Sequence, residues 1–258
     1  MSWSSFEYNL WLDAGMPTEN YKDSTGNIIN PSKDVVLLHL DKILSRPDAC
    51  FLPKLAALES LTIDRYIGVV MPFNFSQLDN LEFLSITAHS DIDSLEYFPS
   101  EICHLKKLQD LKISGHSFSI VDSYISLLTD LRTLDLSHNR ITKIPESFSL
   151  FPHLEKLNLA NNISLDIKPI LEIDSLRSLD LTDVQIVTGM ATKLPAALVS
   201  LKYNKFSESF PTSLKALWNE RSPEVDYATF QANVIRKLRD EALHIMDEEL
   251  EKIVAEEN

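Results

Sequence analysis

Glycine, cysteine and histidine are where a local catalytic signature would show in this chain, and their spacing rules out most of them. The five glycines, Gly15, Gly26, Gly68, Gly115 and Gly189, are never closer than eleven positions. That excludes a GxGxxG dinucleotide turn, a GxxxxGK phosphate loop and a GxSxG nucleophile elbow. Cys50 and Cys103 stand 53 positions apart, so no CxxC exists for zinc, haem or redox work. None of the seven histidines is followed by glutamate, which removes HExxH. Cys103-His104 sets a thiol beside a base. Counting from Leu105 and Leu108, Ile102 faces the core and Cys103 and His104 point outward on a turn, where sequence neighbours need not meet, so no catalytic dyad is expected. No cofactor, metal ligand or catalytic residue is assigned, and the chain is read as non-enzymatic.

Charge narrows the partners. Twenty-four basic residues against 38 acidic ones give a net charge of −14. Such a surface repels phosphate backbones and anionic membranes, so neither nucleic acid nor a membrane is an expected partner. A basic protein is the partner that net charge favours. The N-terminus has no basic leader region with a long apolar stretch, and no run reaches the roughly 20 apolar residues of a spanning helix. Two unpaired-looking cysteines suit a reducing compartment, so a cytoplasmic location is expected.

The elements that would present any site come from leucine, 39 residues or 15% of the 258. One stretch reads Leu131-Arg-Thr-Leu134-Asp-Leu136-Ser-His-Asn139, and 23 positions on another reads Leu154-Glu-Lys-Leu157-Asn-Leu159-Ala-Asn-Asn162. Taking the second leucine as marker, the frame recurs at Leu38, Leu61, Leu84, Leu111, Leu134, Leu157, Leu179 and Leu201. The intervals are 23, 23, 27, 23, 23, 22 and 22. Within each unit apolar and polar residues alternate over a short span, which predicts a strand with one buried face. No single unit can bury its own leucines, so successive coils must stack and pair their strands in parallel. The four extra residues between Leu84 and Leu111 belong in the return segment, within 91–98, because the strands must stay in register.

The chain resembles the leucine-rich repeat family over about residues 35–206, and its best units are similar to the 23-residue subclass. The expected fold is therefore α/β: a leucine-rich-repeat solenoid, or horseshoe, of about eight coils with a parallel concave sheet. Residues 1–34, with Trp3, Phe6, Tyr8 and Trp11, are expected as an N-terminal cap, and 207–258 as a C-terminal helical cap with an acidic end. The asparagine after each strand can bond backbone groups of adjacent coils. Its column reads Ile43, Tyr66, His89, His116, Asn139, Asn162, Val184 and Phe206, and the two imidazoles are read as internal replacements for the amide rather than as metal ligands.

The resemblance implies a protein-binding scaffold that recognises another protein through outward strand residues. The candidates are Thr62, Asp64, Phe83, Ser85, Thr87, Lys112, Asp135, Asn158 and Asp180. Phe83 is the aromatic among them and the natural anchor. Lys112 beside Asp135 reads as an internal cross-strand pair. Alternative readings are an acidic inhibitor or immunity-type protein covering a basic partner, and a bacterial effector delivered to a host cell. A ligase of the kind attached to some bacterial leucine-rich effectors needs a reactive cysteine in a further domain, and 207–258 contains none. Oligomeric state and the partner's identity stay open at this point.

Overall fold

The computed structural model describes residues 1–17, 19–41, 43–44, 52–68, 70–71, 75, 77–89, 94–187, 193–203 and 211–221. The chain divides into two compact units, Met1–Lys215 and Ala216–Asn258. The first is a solenoid built on a nine-stranded parallel sheet. Its strands are Ser2–Trp3, Leu37–Leu40, Ser60–Ile63, Phe83–Thr87, Asp110–Ser114, Thr133–Asp135, Lys156–Asn158, Ser178–Asp180 and Ser200–Lys202, in that spatial order.

The eight marker leucines lie side by side across it. Leu38 is opposite Leu61, Leu61 opposite Leu84, and the pairing continues through Leu111, Leu134, Leu157 and Leu179 to Leu201. Strand periodicity of two turns every marker and its second neighbour inward, so Leu61 and Ile63, Leu84 and Ile86, and Leu134 and Leu136 are all buried. The irregular interval does not disturb this. Phe83–Thr87 pairs with Asp110–Ser114 over five positions, so the four-residue excess falls between those strands; positions 90–93 of that stretch lie outside the described residues.

On the return side, short helical turns repeat at Ser100–His104, Ser123–Leu127 and Glu146–Leu150, followed by Lys168–Leu171. Each drives apolar side chains inward, Ile102, Ile125, Phe148 and Ile170 among them. The core is thus a stack of leucine layers from the sheet facing isoleucine and phenylalanine from the turns. Close packing makes every layer depend on the next.

The N-terminal segment extends the sheet by a ninth strand, with Ser2 and Trp3 beside Leu37 and Leu38. Behind it the helix Ser5–Asp13 buries Tyr8 and Trp11. Trp3 packs on Trp11 and Tyr21 with ring centroids 5.8 and 5.6 Å apart. A turn at Asp23–Asn27 joins Tyr21–Lys22 to Ile28–Ile29 as an antiparallel hairpin, with Asp23 Oδ1 accepting from the Thr25 and Asn27 N–H groups. A helix spans Thr212–Arg221, within the segment expected as a C-terminal helical cap. The remainder of that segment, with its acidic end, lies outside the described residues.

Candidate functional site

Beneath the outward face of the sheet runs a ladder of buried polar groups that fixes the turns after the strands. The amide of Asn139 donates to the Ile113 and Leu136 carbonyls, both at 2.8 Å, while its Oδ1 accepts from the His116 N–H. Asn162 repeats this one coil on, donating to the Leu136 and Leu159 carbonyls and accepting from the Ile141 N–H. Each amide satisfies buried backbone groups that would otherwise cost free energy.

His116 takes the same place with an imidazole. Its Nδ1 accepts from the Leu95 N–H at 3.3 Å and its Nε2 donates to the Ile86 carbonyl at 3.2 Å. It is 1% exposed. Burial pushes its pKa down to about 4, against the smaller opposing pull of the Ile86 carbonyl. His116 is therefore the internal replacement that its column implies. His89 is not: it is exposed. The difference follows the backbone. Gly115, His138, Asn161 and Asp183 precede His116, Asn139, Asn162 and Val184 with φ of 81°, 55°, 58° and 56°, a left-handed step that swings the next residue inward. Ala88, before His89, makes no such step. Tyr66, also in this column, is buried without a left-handed residue before it and donates its hydroxyl to the Val70 carbonyl.

Cys103 corrects the sequence reading. It is 1% exposed rather than outward-facing, and burial, helped by Asp122, pushes its thiol up to about 12. A thiol so held carries almost no thiolate near neutrality and is no nucleophile.

The outward face carries a groove of about 1110 Å³ across the coils from Asp41 to Asn161. Of the nine candidates, it gathers Asp64, Ser85, Thr87 and Lys112; Thr62, Phe83, Asp135, Asn158 and Asp180 lie outside its lining. Phe83 is 39% exposed on its strand, between Ser60 and Asp110. Thr62 is half-buried opposite His39 and Ser85. Ser85, expected outward, is only 6% exposed. The Thr87 hydroxyl donates to the Asp64 carbonyl.

Three candidates hold their own turns. Asp135, Asn158 and Asp180 each accept, through Oδ1, the N–H two residues on, at Ser137, Ala160 and Thr182. Lys112 is opposite Asp135 in register, but no ion pair joins them among the described residues, which corrects the expected cross-strand pair. Asp180 pairs instead with Lys202 at 3.3 Å.

Outward positions also bring together a cluster that spacing alone does not reveal. His39 Nε2 lies 2.6 Å from Asp64 Oδ2 and 3.5 Å from Asp41 Oδ1. These three ligand-type atoms lie within 4.8 Å of one another. The trio is largely exposed, and a single imidazole nitrogen faces both carboxylates, so the geometry is that of surface polar groups in contact.

The fold and its face define a parallel-sheet repeat solenoid, and the comparisons agree. A family model described as "Leucine Rich repeats (2 copies)" matches residues 129–171. The human "Leucine-rich repeat protein 1" is 29% identical over 157 residues, covering 60% of this chain and 34% of that protein. "Receptor-like protein 9a" of Arabidopsis thaliana is 30% identical over 155 residues, covering 56% and 17%. An internalin from Listeria monocytogenes shares the fold at a TM-score of 0.51 and 17% identity, over 66% of this chain and 49% of that one. The chain is a leucine-rich repeat protein. It spans about a third of the human relative's length and less of the plant one. Leucine-rich repeats generally mediate protein–protein interaction and are typically non-enzymatic.

Proposed function

We propose that this chain is a non-enzymatic protein-binding module whose partner seats on the outward, concave face of the sheet. The observation that carries this is the groove of about 1110 Å³ on that face, which combines polar and charged side chains from successive coils. A parallel sheet held in register presents those side chains at fixed spacing, so little ordering remains to be done on binding. The burial of Cys103 and the internal commitment of His116 favour a binding role over a catalytic one. The free, buried Cys103 also suits the reducing compartment we propose for it.

The test compares two exposed aromatics. Phe83 is on the sheet face, and Phe6, 63% exposed, is on the N-terminal helix. The partner is captured with the wild-type chain, identified by mass spectrometry and titrated against Phe83→Ala and Phe6→Ser. Interface energy concentrates in central aromatic anchors, so Phe83→Ala should weaken binding by about 2 kcal/mol and Phe6→Ser should leave it unchanged. Binding that survives Phe83→Ala and fails with Phe6→Ser overturns the concave-face reading and moves the contact to the N-terminal segment.

A further inference from the structure

We propose that the concave groove receives an acidic segment of the partner protein, with carboxylates taken by Arg65 and Lys112. This rests on the concave-face reading above. It reverses what net charge alone suggests, since a chain at −14 favours a basic partner. Net charge acts through the long-range field, which at physiological ionic strength fades over roughly 8 Å. Inside a groove the local groups decide.

The groove's two carboxylates, Asp41 and Asp64, are turned toward His39 at 3.5 and 2.6 Å. The cations are less committed. Arg65 donates its Nε–H to the Asp41 carbonyl at 3.2 Å, and its terminal N–H groups have no carboxylate among the described residues. Lys112 makes no hydrogen bond or ion pair among the described residues. Its register neighbour Asp135 directs Oδ1 to the Ser137 N–H.

A guanidinium is a planar fork that matches a carboxylate bidentately, and an ammonium is a compact charge that tolerates several angles. Two such groups without carboxylate partners, one exposed and one half-buried along the same groove, are poised for an anion. The carboxylates of an extended acidic peptide supply one at each step. Asn161, uncharged and exposed in the same lining, offers an amide to the peptide backbone.

The experiment uses the full chain and three fluorescent probes: octaglutamate, octalysine and an eight-nucleotide oligothymidine, each followed by anisotropy at low and physiological salt. Octaglutamate should bind, weaken as salt rises, and lose at least about tenfold in affinity with the double variant Arg65→Gln/Lys112→Gln. The far-UV circular dichroism of that variant should match wild type, because Arg65 is exposed and Lys112 half-buried. Octalysine and oligothymidine should bind more weakly than octaglutamate. The inference is overturned if octaglutamate does not bind or binds the double variant equally well. It is also overturned if octalysine or oligothymidine binds more tightly than octaglutamate. A captured partner that is lost with Phe83→Ala and kept by the double variant would sink the acidic-segment inference and leave the concave-face reading standing.

Discussion

His116 should make this protein less stable in mild acid, by an amount the structure sets. The neutral ring is fully engaged: Nε2–H donates to the Ile86 carbonyl and Nδ1 accepts from the Leu95 N–H. A second proton would have to go on Nδ1, where it meets that N–H donor, and the charge would sit between the rings of Tyr66 and Phe118 at 6.2 and 6.4 Å. Burial of the ring, which penalises that charge, holds the folded pKa at about 4, against 6.5 for an unperturbed histidine. Above pH 6.5 the ring is neutral whether folded or unfolded, and its contribution is fully present. As pH falls below 6.5 the unfolded chain takes the proton and the folded one does not, so stability declines until the folded ring titrates near pH 4. Each pH step of one over which only the unfolded chain holds the proton costs about 1.4 kcal/mol, so the loss between pH 7 and pH 5 is about 2 kcal/mol. Most carboxylates keep their charge across that window, which isolates the histidine. The assay is urea unfolding by circular dichroism at pH 7, 6 and 5, for wild type and for His116→Asn, which places the family's usual amide in the column. Wild type should lose about 2 kcal/mol relative to the variant on going from pH 7 to pH 5. Parallel pH profiles for the two proteins would refute the reasoning, whatever their absolute stabilities.

Three further outcomes are expected. Leu134→Ala and Leu157→Ala, each deleting volume from a fully packed layer, should cost about 2–5 kcal/mol in urea unfolding, and a cost under about 1 kcal/mol at both would contradict the stacking described. Gly115→Ala should cost at least about 2 kcal/mol by the same measurement, since its φ is 81° and a Cβ there would meet the Ala88 carbonyl oxygen at 2.1 Å; an unchanged midpoint would show that the turn relaxes freely. Asn139→Ala should cost about 2–4 kcal/mol by stranding the His116 N–H and the Ile113 carbonyl. Asn158→Ala, which releases only the Ala160 N–H, should cost less than half as much, and equal costs would mean the buried ladder is not what distinguishes them.

The leucine frame by itself determined the sheet. Every marker from Leu38 to Leu201 is paired with the next because a strand shifted by one residue would turn its leucines to water, so the pattern admits a single register. The same logic kept Leu84 opposite Leu111 across the long interval. Asn139 and Asn162 were equally legible, since an amide at that place has only backbone groups to bond. Asp135, Asn158 and Asp180 carried a readable signal that outward placement obscured: a short acceptor two residues before an N–H at a strand's end closes the turn on itself.

Tertiary structure decided the rest. His89 and His116 share a column, yet His116 is buried after the left-handed Gly115 and His89 is exposed after Ala88, which makes no such step. Cys103 faces the core although it follows a core residue, because a tight helical turn at Ser100–His104 buries two successive side chains. The groove's charge was beyond the sequence altogether. It depends on which carboxylate each cation meets, in part across neighbouring coils 22 to 25 residues apart. His39 draws Asp41 and Asp64 to itself, the Asp135 carboxylate accepts from its own turn, and Arg65 and Lys112 are left facing the groove without a carboxylate. Pairing of that kind is set by distance in space, and the order of residues along the chain does not encode it locally.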